Sequence, residues 1–157
     1  MAIKGTPRSF YKKFKFTVEE KGITWAGFRT CSDLRIQVAK IEQREGGALI
    51  PNKSPGLVTV PDVTLARGAT ADKDLWDWMK EVVESGSIAA SPKRQLDIVQ
   101  HDRRGLEIRR WQLVNCWPID FKAGDWDNEA DENVIEEVIL ALDYFTTDQD
   151  FGTGFNF

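Results

Sequence analysis

Apolar residues recur at every second position in segments otherwise rich in charge, and this period constrains the fold class more than any other feature. Over residues 10–19, Phe14, Phe16 and Val18 alternate with Lys13, Lys15 and Thr17. An extended chain with that pattern buries one face and wets the other, so a half-buried strand is predicted. Leu34, Ile36 and Val38 repeat the alternation over 34–45, until Ile41 falls on the opposite parity. A one-residue slip within a strand predicts a bulge or bend. Residues 94–100 and 106–117 read as two further strands around the turn His101-Asp102-Arg103-Arg104-Gly105. Residues 57–60 and 63–66 read as a strand pair interrupted by Pro61. Proline cannot donate to a ladder, so that segment is expected to bend or lie on an edge.

One segment breaks the two-residue period. Leu75, Trp78, Met79, Val82 and Val83 share one face at helical spacing, which predicts a helix over 72–84. Asp72 and Asp74 suit its positive end, and Gly86 is placed to stop it. Residues 132–145 fit two templates. Val134, Ile135, Val138, Ile139, Leu142 and Phe145 make a helical stripe, whereas Val138, Leu140, Leu142 and Tyr144 make a strand face. Periodicity alone slightly favours the helix. The stretch from Gly46-Gly47 to Gly56, with Pro51, Asn52, Ser54 and Pro55, reads as a loop that is long for a hairpin. The tail after Thr146 is expected to be mobile in a free subunit, and residues 1–9 form an N-terminal arm. With 157 residues and no internal repeat, the expectation is one domain over 1–157, mainly β with one definite helix.

The residues exclude most site chemistry. A single histidine, His101, rules out a His-rich metal site and leaves one possible base for a nucleophile. Cys31 and Cys116 match no metal or redox spacing and read as reduced, core-facing thiols. Asp125, Asp127, Glu129 and Asp131, with Asp120 nearby, could be weighed as paired carboxylates, but such a run reads as a solvated loop. As a calcium loop it lacks glycine at the sixth position, where Ala130 stands. No glycine-rich phosphate loop joins a strand to a helix. Arg103-Arg104-Gly105 with Arg109-Arg110 reads as a solvated basic cluster on a hairpin. No catalytic residue, cofactor or metal ligand is therefore assigned, and the chain reads as a protein that is not an enzyme. Residues 1–7 lack the apolar core of a signal peptide, and the longest aliphatic run, 138–142, is too short to cross a bilayer. Synthesis and assembly in a cytoplasm, without membrane anchoring, are expected.

Charge is arranged asymmetrically along the chain. Residues 1–16 carry five bases (Lys4, Arg8, Lys12, Lys13, Lys15) and no acid, whereas 124–157 carry ten acids and no Lys or Arg. Two solvated faces would satisfy this pattern. So would attraction between opposite ends of neighbouring copies, a heterologous contact that builds rings or filaments. The net charge of −4 argues against specific nucleic-acid binding.

Four landmarks follow one another in a specific order: Arg44-Glu45-Gly46-Gly47; Leu65-Ala66-Arg67-Gly68 with Asp74-Leu75-Trp76-Asp77-Trp78; Asn115-Cys116-Trp117-Pro118; and the acidic, aliphatic C-terminal element. Together they resemble the tube-protein family of contractile phage tails and extracellular contractile injection systems, over roughly residues 10–146. The resemblance implies two packed antiparallel sheets, a β-sandwich or barrel-like tail-tube fold, with one flanking α-helix. It also implies that the segment after Glu132 is a strand, which we adopt against its helical periodicity. The implied function is that of an inner-tube subunit forming hexameric rings, which stack into a hollow tube that a contracting sheath drives into a target. Implied partners are identical subunits, a sheath protein, baseplate and spike proteins and luminal cargo, in a phage tail or a released extracellular particle. A baseplate ring protein that starts the tube is the nearer alternative; a small β-barrel hydrolase or ligand-binding protein is the more distant one.

The expected assembly residues are Lys12, Lys13 and Lys15 in the basic segment and Gly46, Gly47, Pro51, Asn52 and Lys53 in the long loop. Arg67 would pair with an acid across an interface or else stand as a surface arginine. Trp76 would be interfacial where Trp78 is core, since the two point to different helix faces. Gly46-Gly47 would supply positive φ, and Trp117-Pro118 would end a ladder.

Overall fold

In the computed structural model, residues 15–21, 23–25, 27–69, 73–85 and 92–147 are described. Their strands are β1 (Lys15–Glu20), β2 (Ile23–Trp25), β3 (Phe28–Cys31), β4 (Gln37–Gln43), β5 (Asn52–Thr59) and β6 (Val63–Gly68). After the helix α1 (Asp74–Ser85) come β7 (Arg94–His101), β8 (Glu107–Lys122), β9 (Ile135–Ala141) and β10 (Tyr144–Thr147). All pairings among them are antiparallel.

The strand β8 belongs to two sheets. Its first part, to Cys116, pairs with β7, and on the other side Trp111 to Val114 pair with β10. Its last part, Trp117 to Lys122, pairs with β9. β9 and β10 run in sequence down the same side of β8, with Ala141 opposite Trp117 and Tyr144 opposite Val114. One sheet is thus β2-β1-β7-β8-β10 and the other β8-β9-β6-β3.

The corner between them is Asn115, at φ 52°. Leu113 faces Leu96 and Cys116 faces Arg94, so two residues of β8 oppose one of β7, a bulge that bends the strand. Asparagine tolerates the left-handed region, and here its Nδ2 donates to Asp143 Oδ2 at 2.8 Å while the Asp143 amide donates to the Val114 carbonyl at 3.1 Å. Trp117-Pro118 does not end the ladder as expected. β8 runs on to Lys122, and a register shift between Pro118 and Asp120 accommodates the missing amide.

The sheets fold over a core of Val18, Val63, Leu65, Leu96, Ile98, Leu113, Cys116, Val138 and Leu140, closed by Leu75 and Trp78 of α1. Fully burying a side chain such as Leu75 contributes roughly 2 kcal/mol. Trp78 also satisfies its indole N–H on the Pro92 carbonyl at 2.8 Å, under the Arg94 guanidinium at 5.0 Å from the ring centroid. The helix is where its period predicts, although Asp72 and Gly86 lie outside the described residues. Val83 is corrected: it is 70% exposed, because it turns away from the face that Leu75 and Trp78 bury.

Three other expectations change. Residues 135–141 are a strand, as the resemblance implied, because β9 has partners on both sides and buries alternate residues, Val138 and Leu140. The expected loop through Gly56 ends at residue 51, since Asn52 to Gly56 already belong to β5. The expected pair of 57–60 with 63–66 does not form: β5 pairs with β4, and β6 lies between β3 and β9. The parity slip near Ile41 does meet a bulge, but the extra residue belongs to β5, as Val38 faces Val58 and Lys40 faces Pro55. Gly56 suits the bulge, since a Cβ would press on Ile41 Cγ1 at 3.0 Å and Ala39 O at 3.1 Å. Thr146 and Thr147 are part of β10 rather than of a tail. The N-terminal arm, Lys12, Lys13 and residues 148–157 lie outside the described residues.

Residues 123–134 make an exposed loop from β8 to β9, closed at its base by Gly124 at φ 105°. A Cβ there would collide with Val134 Cγ1 and lie 3.1 Å from Ile135 O. Gly124→Ala is therefore expected to cost about 2 kcal/mol, seen as a lower urea midpoint. An unchanged midpoint would contradict this closure.

Candidate functional site

The feature least explained by the core is the ribbon β4–β5. Its two strands pair only with each other among the described strands, and every residue of β4 is exposed. The turn carries Leu49 and Ile50, 93% and 81% exposed, and the strands add exposed Val38, Ile41, Leu57 and Val58. A lone two-stranded ribbon is marginal in water, and clustered exposed aliphatics mark an interaction surface. Within the turn, Gly47 uses its freedom at φ 86°, and the Ala48 amide donates to the Glu45 carbonyl at 3.0 Å. Gly46 does not adopt positive φ. Pro51 ends the turn half-buried, while Asn52 and Lys53 open β5 with exposed side chains. Lys53 faces Glu42 across the ribbon.

Arg67 is not on the surface of the single chain. It is 1% exposed on β6, and its guanidinium is occupied by its own chain. Nε donates to Glu136 Oε2 at 3.1 Å, Nη1 donates to Asp74 Oδ2 at 3.2 Å, and Nη2 donates to Asp74 Oδ1. The Phe28 ring lies 5.5 Å below its Cζ. One side chain thus ties β3, β6, β9 and the start of α1. Burial raises the Asp74 carboxyl, but the hydrogen bonds and charge of Arg67, with the Leu75 amide, hold it below its ordinary value.

Trp76 is half exposed on α1, its ring tilted against Phe121 at 6.0 Å between centroids, with exposed Ile119 on the same stretch of β8. Lys15 is exposed at the start of β1, opposite His101. The structure therefore places the described assembly candidates on separate elements, not in one pocket.

Sequence reasoning missed a second ion cluster. Arg110 reaches Glu107 at 2.9 Å, Asp97 at 2.7 Å and Glu19 at 3.0 Å, and these carboxylates raise its pKa. Glu107 is local, but only the strand register brings Glu19 and Asp97 to it, so Arg110 is not part of a solvated basic hairpin. Arg109 lies over the Trp111 ring at 4.2 Å. His101 shares hydrogen bonds with Thr17 Oγ1 at 2.9 Å and with the Gly105 carbonyl at 3.3 Å. Burial pushes the Cys116 thiol up to about 12 and, with Asp33, the Cys31 thiol up to about 11, which keeps both protonated near neutrality. Among the described residues, no group of three or more His, Cys, Asp or Glu could hold a metal, and no helix is long and apolar enough to cross a membrane.

The family model of the T4-like virus tail tube protein gp19 matches residues 12–146. The chain belongs to this tail tube family. Solved structures agree at the level of the fold. The anti-feeding prophage tube-terminating cap superposes with TM-score 0.76 at 22% identity, covering 94% of this chain and 98% of the cap chain. A chain of the anti-feeding prophage baseplate gives 0.75 at 18%, covering 89% and 96%. A chain of the sheath-tube complex of the PVC extracellular contractile injection system gives 0.74 at 22%, covering 87% and 89%. No curated protein matches the sequence. The landmarks that carried the resemblance now have places in the tail tube fold: the ribbon turn, the Arg67 node, and the corner of β8.

Because the Asp74 pKa is depressed, the contact with Arg67 stabilises the fold above the ordinary carboxylate pKa of about 4 and is lost as pH falls below it. Asp74→Asn is expected to flatten the fall of the urea midpoint between pH 5 and pH 3 (order-of-magnitude bounds around that pKa). Arg67→Met should cost about 3 kcal/mol at neutral pH, by stranding its two carboxylates. A wild-type acid profile in Asp74→Asn would contradict the linkage.

Proposed function

We propose that this tail tube family member is a structural inner-tube subunit, forming hexameric rings that stack into the hollow tube of a contractile injection system. The observation that carries the reading is the β4–β5 ribbon, whose strands pair with no other strand and whose aliphatic side chains stay exposed among the described residues. Rings close by pairing of sheet borders on neighbouring copies, which gives exposed backbone groups partners and makes a continuous lumen wall. Rings stack through the ribbon and the basic N-terminal segment. The separation of five bases in 1–16 from ten acids in 124–157 favours head-to-tail contact. Sheath contraction then drives the rigid tube through a target envelope with its cargo. The partners are a sheath protein, a baseplate with its spike, and luminal cargo. The chain is assembled in a cytoplasm and works in a phage tail or released particle, as a part rather than an enzyme.

A second reading, a terminal ring such as a tube initiator in the baseplate, is favoured by one observation. The cap and baseplate chains match this fold as well as the sheath-tube chain does, at TM-scores of 0.76, 0.75 and 0.74. Polymerisation separates the two. Negative-stain images of the purified protein are expected to show six-fold rings and stacked tubes. Rings that never stack would favour the terminal role, and a monodisperse monomer at high concentration would overturn both. Reversing Lys12, Lys13 and Lys15 to Glu is expected to shorten tubes and to abolish their salt dependence. An unchanged salt response would remove the electrostatic part.

A further inference from the structure

Two strand borders of this fold are guarded by neither charge nor proline. Among the described residues, β2, β3, β4, β5 and β10 each pair with one strand, and β8 beyond Cys116 pairs only with β9. Sheets blunt such borders with charged residues or proline, which keep stray strands from adding on. Here β3 carries Arg29, β4 carries Lys40 and Glu42, and β5 carries Lys53 and Pro55. The end of β8 carries Pro118, Asp120 and Lys122. By contrast, β2 reads Ile23-Thr24-Trp25 and β10 reads Tyr144-Phe145-Thr146-Thr147. These two strands are the opposite ends of one sheet, β2-β1-β7-β8-β10.

The two borders also stand level. Thr24 faces Glu19, Glu19 faces Asp97, Asp97 faces Gln112 and Gln112 faces Thr146, in one row across the sheet. Trp25, Val18, Ile98, Trp111 and Thr147 make the adjoining row. Every pairing in the sheet is antiparallel, so β2 and β10, an even number of steps apart, run in the same direction. Those steps add up to roughly 19 Å, which prevents one chain from pairing its own two borders. A second copy, turned about an axis along the strands, brings its β2 beside β10 without reversal and without a slide along the strands.

We propose that β10 of one copy adds to β2 of the next as a parallel pair, with Thr146 set beside Thr24, and that this junction closes the ring. This rests on the reading that rings close through sheet borders, and adds which borders meet and in what direction. The contact is heterologous, because each copy offers β10 to one neighbour and β2 to the other. It therefore leads on to a further copy instead of stopping at a dimer. Main-chain hydrogen bonds supply the attraction, as in other strand additions. A junction this short holds two copies weakly, whereas in a closed ring every copy is held from both sides.

The test uses the full chain under conditions where the wild type forms rings. Subunits with Thr24→Cys are mixed with subunits carrying Thr146→Cys and treated with a short bismaleimide. Cys116 is buried and Cys31 partly so, and the unsubstituted chain, treated alike, is the control. A cross-linked dimer is expected in the mixture and in neither preparation alone. Thr146→Glu is expected to cut the ring fraction about tenfold or more, as a charge on a border does. Adding Thr24→Lys to the same chain is expected to restore it, because each Glu then meets the Lys of a neighbour. Rings that form normally without the cross-link, or a loss that Thr24→Lys leaves unrepaired, would overturn the proposal while leaving ring formation intact. So would cross-linking of Thr146→Cys subunits with one another, which would mean β10 against β10 across a two-fold axis. Amide exchange over 144–147 as slow in the isolated subunit as in the ring would also overturn it, since that border would be covered by its own chain. Failure of the wild type to form rings would instead overturn the reading on which the proposal rests.

Discussion

One strand has to serve two sheets, and the fold follows from how it does so. Residues 107–116 of β8 are held by β7, and residues 117–122 by β9, so the chain must turn between them without losing its ladder. The left-handed Asn115, the bulge it sits in and the Asp143 side chain that accepts from it supply that turn. If β8 were straight, β9 and β6 would continue the plane of β7, and the two apolar faces would not meet. Bent, they close on Leu96, Leu113, Val138 and Leu140, with Leu75 and Trp78 sealing the side.

The buried Arg67 node acts at a second level. A charged group in that position costs desolvation, which its two carboxylates and the Phe28 face offset. Its contribution is directional rather than large. It holds the start of the helix against β6 and β9, so that Trp76 is presented on the surface next to Phe121. A node of this kind sets where the half-exposed Trp76 ring lies.

The sequence carried the fold class because period-two alternation is local, and the strand at 94–101 and the first part of β8, to Trp117, could be read from it directly, whereas the run on to Lys122 could not. It did not carry pairing. The burial of Arg67 depends on Glu136, 69 residues away, and the Arg110 cluster on three strands meeting in register. Residues 135–141 show the same limit from the other side. Their helical stripe is real as a pattern, but hydrogen-bonded neighbours on both flanks outweigh a propensity that differs little between the two states. Of the assembly candidates, the long loop was legible from its glycines and prolines, though half of it is strand; that the whole ribbon stands clear of the core was not, because exposure is a property of what fails to pack against it.

In the proposed tube, the β4–β5 ribbon is finished only by other copies of the chain. In an isolated subunit its backbone hydrogen bonds should open freely, since none of the described residues packs over β4. Amide hydrogen exchange at residues 37–43 and 52–59, compared between the isolated subunit and the assembled particle, tests this most directly. Exchange within seconds is expected in the subunit, slowing by about a hundredfold or more on assembly, roughly 2.7 kcal/mol of added protection. Slow exchange already present in the isolated subunit, or rates unchanged by assembly, would contradict it.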